Sequence, residues 1–102
     1  MKVAVLIANG SEEIEALTPV DVIRRTGIDC DLISVNEKVV TCSHNVLVTA
    51  DKRIEEADLS MYDALVIPGG MPGATNIATC VKAVEGIRGA MENRKVVASI
   101  CA

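Results

Sequence analysis

The stretch Val3-Ala4-Val5-Leu6-Ile7-Ala8-Asn9-Gly10-Ser11-Glu12-Glu13-Ile14-Glu15 decides the fold. Its first six residues are apolar, with no polar alternation, the pattern of a strand covered on both faces and hence of a parallel sheet between helices. The pattern then changes to a helix start. A serine can cap free N–H groups, and Glu12, Glu13 and Glu15 suit the positive end of a helix dipole. Ile14, Leu17, Val20 and Ile23 follow as one apolar stripe, Arg24 and Arg25 fit the last turn, and Gly27 supplies the stop. Pro19 removes an amide donor inside this helix and is expected to bend it.

Two further apolar runs, residues 64–67 and 96–100, have the same both-faces character, and residues 31–35 read as another strand. Between them, residues 39–42 and 45–49 read as a smaller hairpin turning at Ser43-His44. A second helical stretch is predicted over residues 74–93, broken near Cys80, with Val81, Val84, Ile87 and Met91 at core spacing. The order strand, helix, strand, hairpin, strand, helix, strand describes a doubly wound α/β sheet, because parallel neighbours need crossover connections. Residues 1–102 form one domain, without repeat or linker.

Composition bounds the function. Half of the 102 residues are hydrophobic and a quarter charged, which fits a soluble domain whose core is almost wholly aliphatic, Tyr62 being the only aromatic residue. Ten basic and fourteen acidic residues give a net charge of −4 without a basic stripe, so nucleic acid is not an expected partner. No apolar run reaches the ~20 residues that cross a bilayer, and no signal peptide precedes the first strand; the expected location is the cytoplasm. Cys30, Cys42, Cys80 and Cys101 show neither a disulfide framework nor zinc-site spacing, so reduced thiols and no metal are expected.

In open α/β sheets reactive groups gather beyond the carboxyl ends of the strands. Three segments lie there: residues 9–15, residues 68–73 (Pro-Gly-Gly-Met-Pro-Gly) and Cys101-Ala102. Cys101 ends a buried strand, where a sharp turn into a helix would expose its sulfur to backbone N–H groups that stabilise a thiolate nucleophile. Its other reading is a small buried hydrophobe. Gly69-Gly70 is either a plain tight turn or a backbone that approaches a ligand closely, in which case the amides of Gly70 and Ala102 form a two-donor oxyanion site. The three glutamates form a solvated acidic turn, unless the bend directs Glu15 toward the strand ends, where a carboxyl could hold a proton beside the thiol. His44 reads as a solvated turn residue, and Cys30, Cys42 and Cys80 as buried filler.

Taken together, residues 10–15, residues 19–27 (Pro-Val-Asp-Val-Ile-Arg-Arg-Thr-Gly), Ile67-Pro68-Gly69-Gly70 and residues 98–102 (Ala-Ser-Ile-Cys-Ala) strongly resemble the DJ-1/ThiJ/PfpI family, over the whole chain. Thr41-Cys42-Ser43 and Tyr62-Asp63 point to its DJ-1 and ThiJ branch. The resemblance implies a flavodoxin-like, mostly parallel sheet between helices, with Cys101 as the reactive elbow cysteine and Glu15 as the protonated carboxyl bonded to it. It also implies Gly70 and Ala102 as the oxyanion amides, and commonly a homodimer. Family members are described as cofactor-independent glyoxalases, as deglycases and as oxidative-stress sensors, and some carry chaperone or protease labels. Family chains are longer, so these residues are expected to be the N-terminal portion of a larger protein. The helix after Cys101, the later strands and the family's active-site histidine are then missing from the chain.

Three functions compete on this reading. The first is an enzyme acting on small aldehydes or dicarbonyls through Cys101. The second is a redox sensor through Cys101 oxidation, and the third is a catalytically silent half of an assembly.

Overall fold

A computed structural model describes residues 1–100; Cys101 and Ala102 lie outside the described residues. The elements run β1 (Lys2–Ile7), α1 (Glu13–Arg25), β2 (Asp29–Ser34), β3 (Val39–Thr41), β4 (Leu47–Thr49) and β5 (Lys52–Arg53). Two 3-10 turns follow (Ile54–Glu56 and Leu59–Met61), then β6 (Ala64–Ile67), α2 (Gly73–Ala78), α3 (Val81–Glu92) and β7 (Val96–Ser99). Five strands form one sheet in the order β5-β2-β1-β6-β7, with every neighbouring pair parallel. β3 and β4 pair antiparallel as a separate ribbon.

β1 is the spine. Successive side chains of a strand point to opposite faces, so Val3, Val5 and Ile7 pack with Ala16 and Val20 of α1 and with Val40 and Cys42 of the ribbon. Ala4, Leu6 and Ala8 face the other way, into a cluster with Leu65, Tyr62, Ile77, Ala83 and Ala90. Leu6, Ile7, Ile33 and Leu65 are fully buried, and each such side chain contributes about 1.5–3 kcal/mol by leaving water. This is the mostly parallel, flavodoxin-like layering that the apolar runs predict.

The helices correct the sequence reading in azimuth. Ser11 does not cap α1: it is buried, and its Oγ accepts from the Ala8 N–H at 3.0 Å. The cap is Glu12, whose Oε2 accepts from the Glu15 N–H at 3.0 Å. Ile14, expected in the core stripe, is 71% exposed, and the buried residues of α1 are Glu13, Ala16 and Val20. A strict three-residue spacing drifts by about 60° per step on a helix of 3.6 residues per turn, so Ile14 and Ile23 lie on opposite sides.

The second helical stretch is broken at Thr79-Cys80 as expected, but its predicted stripe takes the wrong side of α3: Val81 lies about 160–180° around the helix from the buried Ala83 and Ala90. Val81 is 68% and Met91 65% exposed, Val84 and Ile87 are half-buried, and Ala83 and Ala90 are buried. Small residues face inward because α3 lies close to the second 3-10 turn: a Cβ on Gly86 would stand 2.3 Å from Leu59 Cδ1.

Candidate functional site

The chain leaves β1 toward β2 on one side and later returns to β6 on the other. A crevice therefore opens beyond the carboxyl ends of β1 and β6, the usual ligand position in open α/β sheets. Two loops fill its floor. The Glu12 N–H donates to the Gly69 carbonyl at 3.0 Å, and the Gly69 N–H donates to Glu15 Oε1 at 2.9 Å.

Gly70 holds φ +94°, and a Cβ there would lie 2.5 Å from the Glu12 nitrogen and 2.8 Å from the Gly10 oxygen. A Cβ on Gly73 would lie 2.4 Å from the Ser11 nitrogen. Only glycine permits this approach of two backbones. The Pro68-Gly69-Gly70 segment is thus more than a turn, because it locks the start of α1 against the end of β6.

Glu15 is half-buried and projects to these strand ends, although its neighbour Ile14 points into solvent. An N–H can only donate, so Glu15 Oε1 serves the Gly69 amide as an acceptor. Among the described residues nothing accepts from the Gly70 N–H. On the neighbouring strand the Ile100 N–H donates to the Ile67 carbonyl at 3.0 Å. This bond holds residue 100 beside the end of β6. Of the four predicted site residues, Glu15 and Gly70 are gathered at the crevice; Cys101 and Ala102 lie outside the described residues.

Glu13, read from the sequence as part of a solvated acidic turn, is buried. Its Oε2 accepts from the His44 N–H at 2.7 Å, and its Oε1 lies 2.9 Å from His44 Nδ1 and 3.2 Å from the Ser43 Oγ that donates to it. Burial pushes its carboxyl up, but the bonds from the His44 ring, the backbone and Ser43 outweigh that and hold it at about 2. His44 keeps the exposure expected of a turn residue, with a side chain 72% exposed, yet it is paired. The Glu13 bond and charge raise its pKa above the ordinary 6.5.

Glu12, Glu13 and His44 bring two carboxylates and Nδ1 within 4.8 Å of one another. Glu12 Oε2 caps the helix, while Glu13 takes two N–H groups and a hydroxyl. These bonds make the cluster a clasp between ribbon and helix, with its atoms already committed. No sequence signal could have revealed it, since the two partners stand 31 residues apart.

Cys30 and Cys42 are buried and Cys80 half-buried. Burial pushes both buried thiols up; at Cys42 the charges of Glu13 and Glu12 add to that. The thiolate is the reactive form, so neither is a nucleophile here. At the opposite end of the sheet the Tyr62 hydroxyl donates to Asp31 Oδ2 at 2.7 Å, with Lys52 Nζ 3.4 Å from the same oxygen. This network ties β2 to the segment before β6 and lies away from the crevice. No described helix is long and apolar enough to cross a membrane.

Fold and crevice define an α/β protein of flavodoxin-like type, with an acid and a glycine loop at the topological switch. The family model of the DJ-1/PfpI family matches residues 1–102, and the chain belongs to that family. The Parkinson disease protein 7 homolog of Danio rerio is 34% identical over 96% of this chain and 53% of its own length. A deglycase of Thermococcus kodakarensis is 35% identical over 99% of this chain and 60% of its own. Among solved structures, the oxidised DJ-1 of Toxoplasma gondii superposes with a TM-score of 0.96 at 38% identity, covering 99% of this chain and 55% of that one. The chain thus spans about half the length of these relatives.

Proposed function

We propose that these residues belong to a cysteine-dependent, DJ-1-like enzyme that acts on small reactive dicarbonyls or their adducts, with Cys101 as nucleophile and Glu15 as its proton-handling partner. The observation that carries this reading is the bond from the Gly69 amide to Glu15 Oε1. It orients a carboxyl at the crevice with one oxygen occupied and the other free for a thiol or a substrate oxygen. The Ile100–Ile67 bond supports it, since residue 100 is held at the carboxyl end of β6, next to the loop that carries Gly69.

In this mechanism the Cys101 sulfur bonds to the aldehyde carbon as the carbonyl π pair moves onto oxygen. That oxyanion takes hydrogen bonds from the Gly70 and Ala102 amides, which stabilise charge as it develops. The oxygen gains a proton, giving a hemithioacetal. Moving the C1 proton to C2 by way of an enediol, with Glu15 as the relay, yields a thioester. Water then cleaves it to the 2-hydroxy acid and restores the thiol. The sum is dicarbonyl plus water, so no external oxidant, metal or cofactor enters the balance.

The fold of this family in a longer chain, the homodimer and the cytoplasmic location are parts of the same proposal. Ile14, Val39 and Leu47 are exposed apolar side chains on α1 and the ribbon, a surface that a second copy could cover. A Toxoplasma relative solved as an oxidised DJ-1 supports a second reading, in which Cys101 serves as a redox sensor.

Turnover by the full-length protein separates the two readings. Cys101→Ser is expected to abolish methylglyoxal consumption. Undiminished turnover in that variant rejects the enzyme mechanism, and an inactive wild type that still forms a Cys101 sulfinate with peroxide selects the sensor.

A further inference from the structure

We propose that the Ser43-His44 turn is a pH-sensitive clasp, in which protonated His44 ties the tip of the β3–β4 ribbon to Glu13 at the start of α1, and proton loss loosens that tip. The geometry is that of a device rather than a chance surface pair. A two-stranded ribbon is marginal by itself, and this one depends on what it touches. Its β3 strand is fixed up to the turn: Val40 and Cys42 are buried against β1, the Thr41 N–H donates to Asn9 Oδ1 at 3.0 Å, and the Gly10 N–H donates to the Thr41 carbonyl at 2.9 Å. Its tip is held by the Ser43 N–H on the Ser11 carbonyl at 2.9 Å and by three contacts of Ser43 and His44 with the Glu13 carboxylate.

A carboxylate oxygen only accepts, so the His44 ring nitrogen facing Glu13 at 2.9 Å carries the proton. Glu12 Oε1 stands 3.7 Å from the same nitrogen. These two glutamates are the charged groups that face the ring. From residue 39 to residue 49 the ribbon contains no titratable side chain besides Cys42 and His44. The Cys42 thiol, raised from 9.0 mainly by burial, stays neutral while His44 titrates. Glu15 turns the other way, to the Gly69 amide.

The linkage has two limbs. Glu13 sits at about 2 against an ordinary 4.5, so its contribution is complete above 4.5 and disappears as pH falls through about 2. His44 is raised above 6.5, so its contribution is complete below 6.5 and disappears as pH rises through the raised value. The clasp is therefore tightest between about 4.5 and 6.5. Above that window the neutral ring still donates to the carboxylate, but the attraction between two opposite charges is gone and the bond weakens. The tip loosens without the ribbon coming away.

Backbone amide exchange and His44 ring titration by NMR, on the full-length protein, test the clasp without reference to turnover. After division by the intrinsic rate, protection of the Ser43, His44 and Asn45 amides is expected to fall about fivefold with rising pH. The midpoint should equal the titration of the His44 ring, above 6.5, while the Val5 amide shows no step. Glu13→Gln should return the ring to 6.5 or below. His44→Gln, at an exposed position that leaves the core intact, should remove the step. A ring that titrates at or below 6.5 in the wild type, flat protection through its titration, or the same step in His44→Gln would each overturn the clasp.

Discussion

At the carboxyl ends of β1 and β6, methyl groups added to Gly70 and Gly73 would stand within 2.5 Å of backbone nitrogens of the facing loop, whereas along α3 and β7 the side chains of Val81, Met91 and Val96 are mostly in solvent. Both regions flank one parallel sheet. They differ in what faces them. The crevice loops meet backbone to backbone, so their fit is decided by glycines and by single hydrogen bonds. The α3 flank meets its neighbours mainly through Ala83, Gly86, Ile87 and Ala90, and Val84, Ile87 and Met91 border an open groove of about 700 Å³ with Ile67 and Ile77. The teaching is that tight packing here follows the candidate site rather than the apolar content of the sequence.

Substitutions in the full-length protein can break or sharpen this contrast. Gly70→Ala should have the largest effect, destabilising the protein by about 3 kcal/mol or more, since a positive φ and a backbone overlap both oppose the methyl group. Urea unfolding measures this; a loss under about 1 kcal/mol would mean that the loops are not locked together.

Glu15→Ala comes next. It strands the Gly69 amide and should cost about 1–3 kcal/mol, while Glu15→Gln, which keeps an acceptor, should cost less than half as much. Equal losses in the two variants would show that the carboxyl does not hold the loop. Gly89→Ala on α3 is the smallest and has the opposite sign. A Cβ there meets nothing within 4 Å, so the gain in helix propensity should stabilise by up to about 1 kcal/mol, seen as a raised Tm. A lowered Tm would place an unsuspected neighbour against that face.

Much of this contrast was legible beforehand, and the exceptions are instructive. The runs at residues 3–8 and 64–67 announce parallel strands because burial on both faces leaves no place for polar alternation; the run at 96–100 is parallel too, but Val96, Ala98, Ser99 and Ile100 are exposed, against the expectation of a covered strand. The Gly69-Gly70 pair hinted at a close approach, and Gly70 makes one, because no other residue tolerates that backbone. The helix stripes misled, because Ile14 and Val81 share a spacing with core residues but not an azimuth. β5 and the two 3-10 turns were missed, since two or three residues carry no period. Glu13 was missed because a buried carboxylate looks like its exposed neighbours until a partner arrives.

Apart from Glu15, which the family resemblance singled out, the chain alone pointed to the layered α/β class and to the segments beyond the strand ends, with Gly69-Gly70 among them. These are local properties, fixed by side-chain periodicity and by the conformations that glycine alone allows. Which face of α1 enters the core, which oxygen of Glu15 is occupied and which carboxylate receives His44 were decided only when the ribbon and the Pro68-Gly69-Gly70 loop folded back onto the helix. Those outcomes depend on contacts between residues about 30 to 55 positions apart, and no local pattern encodes the angle at which such segments meet.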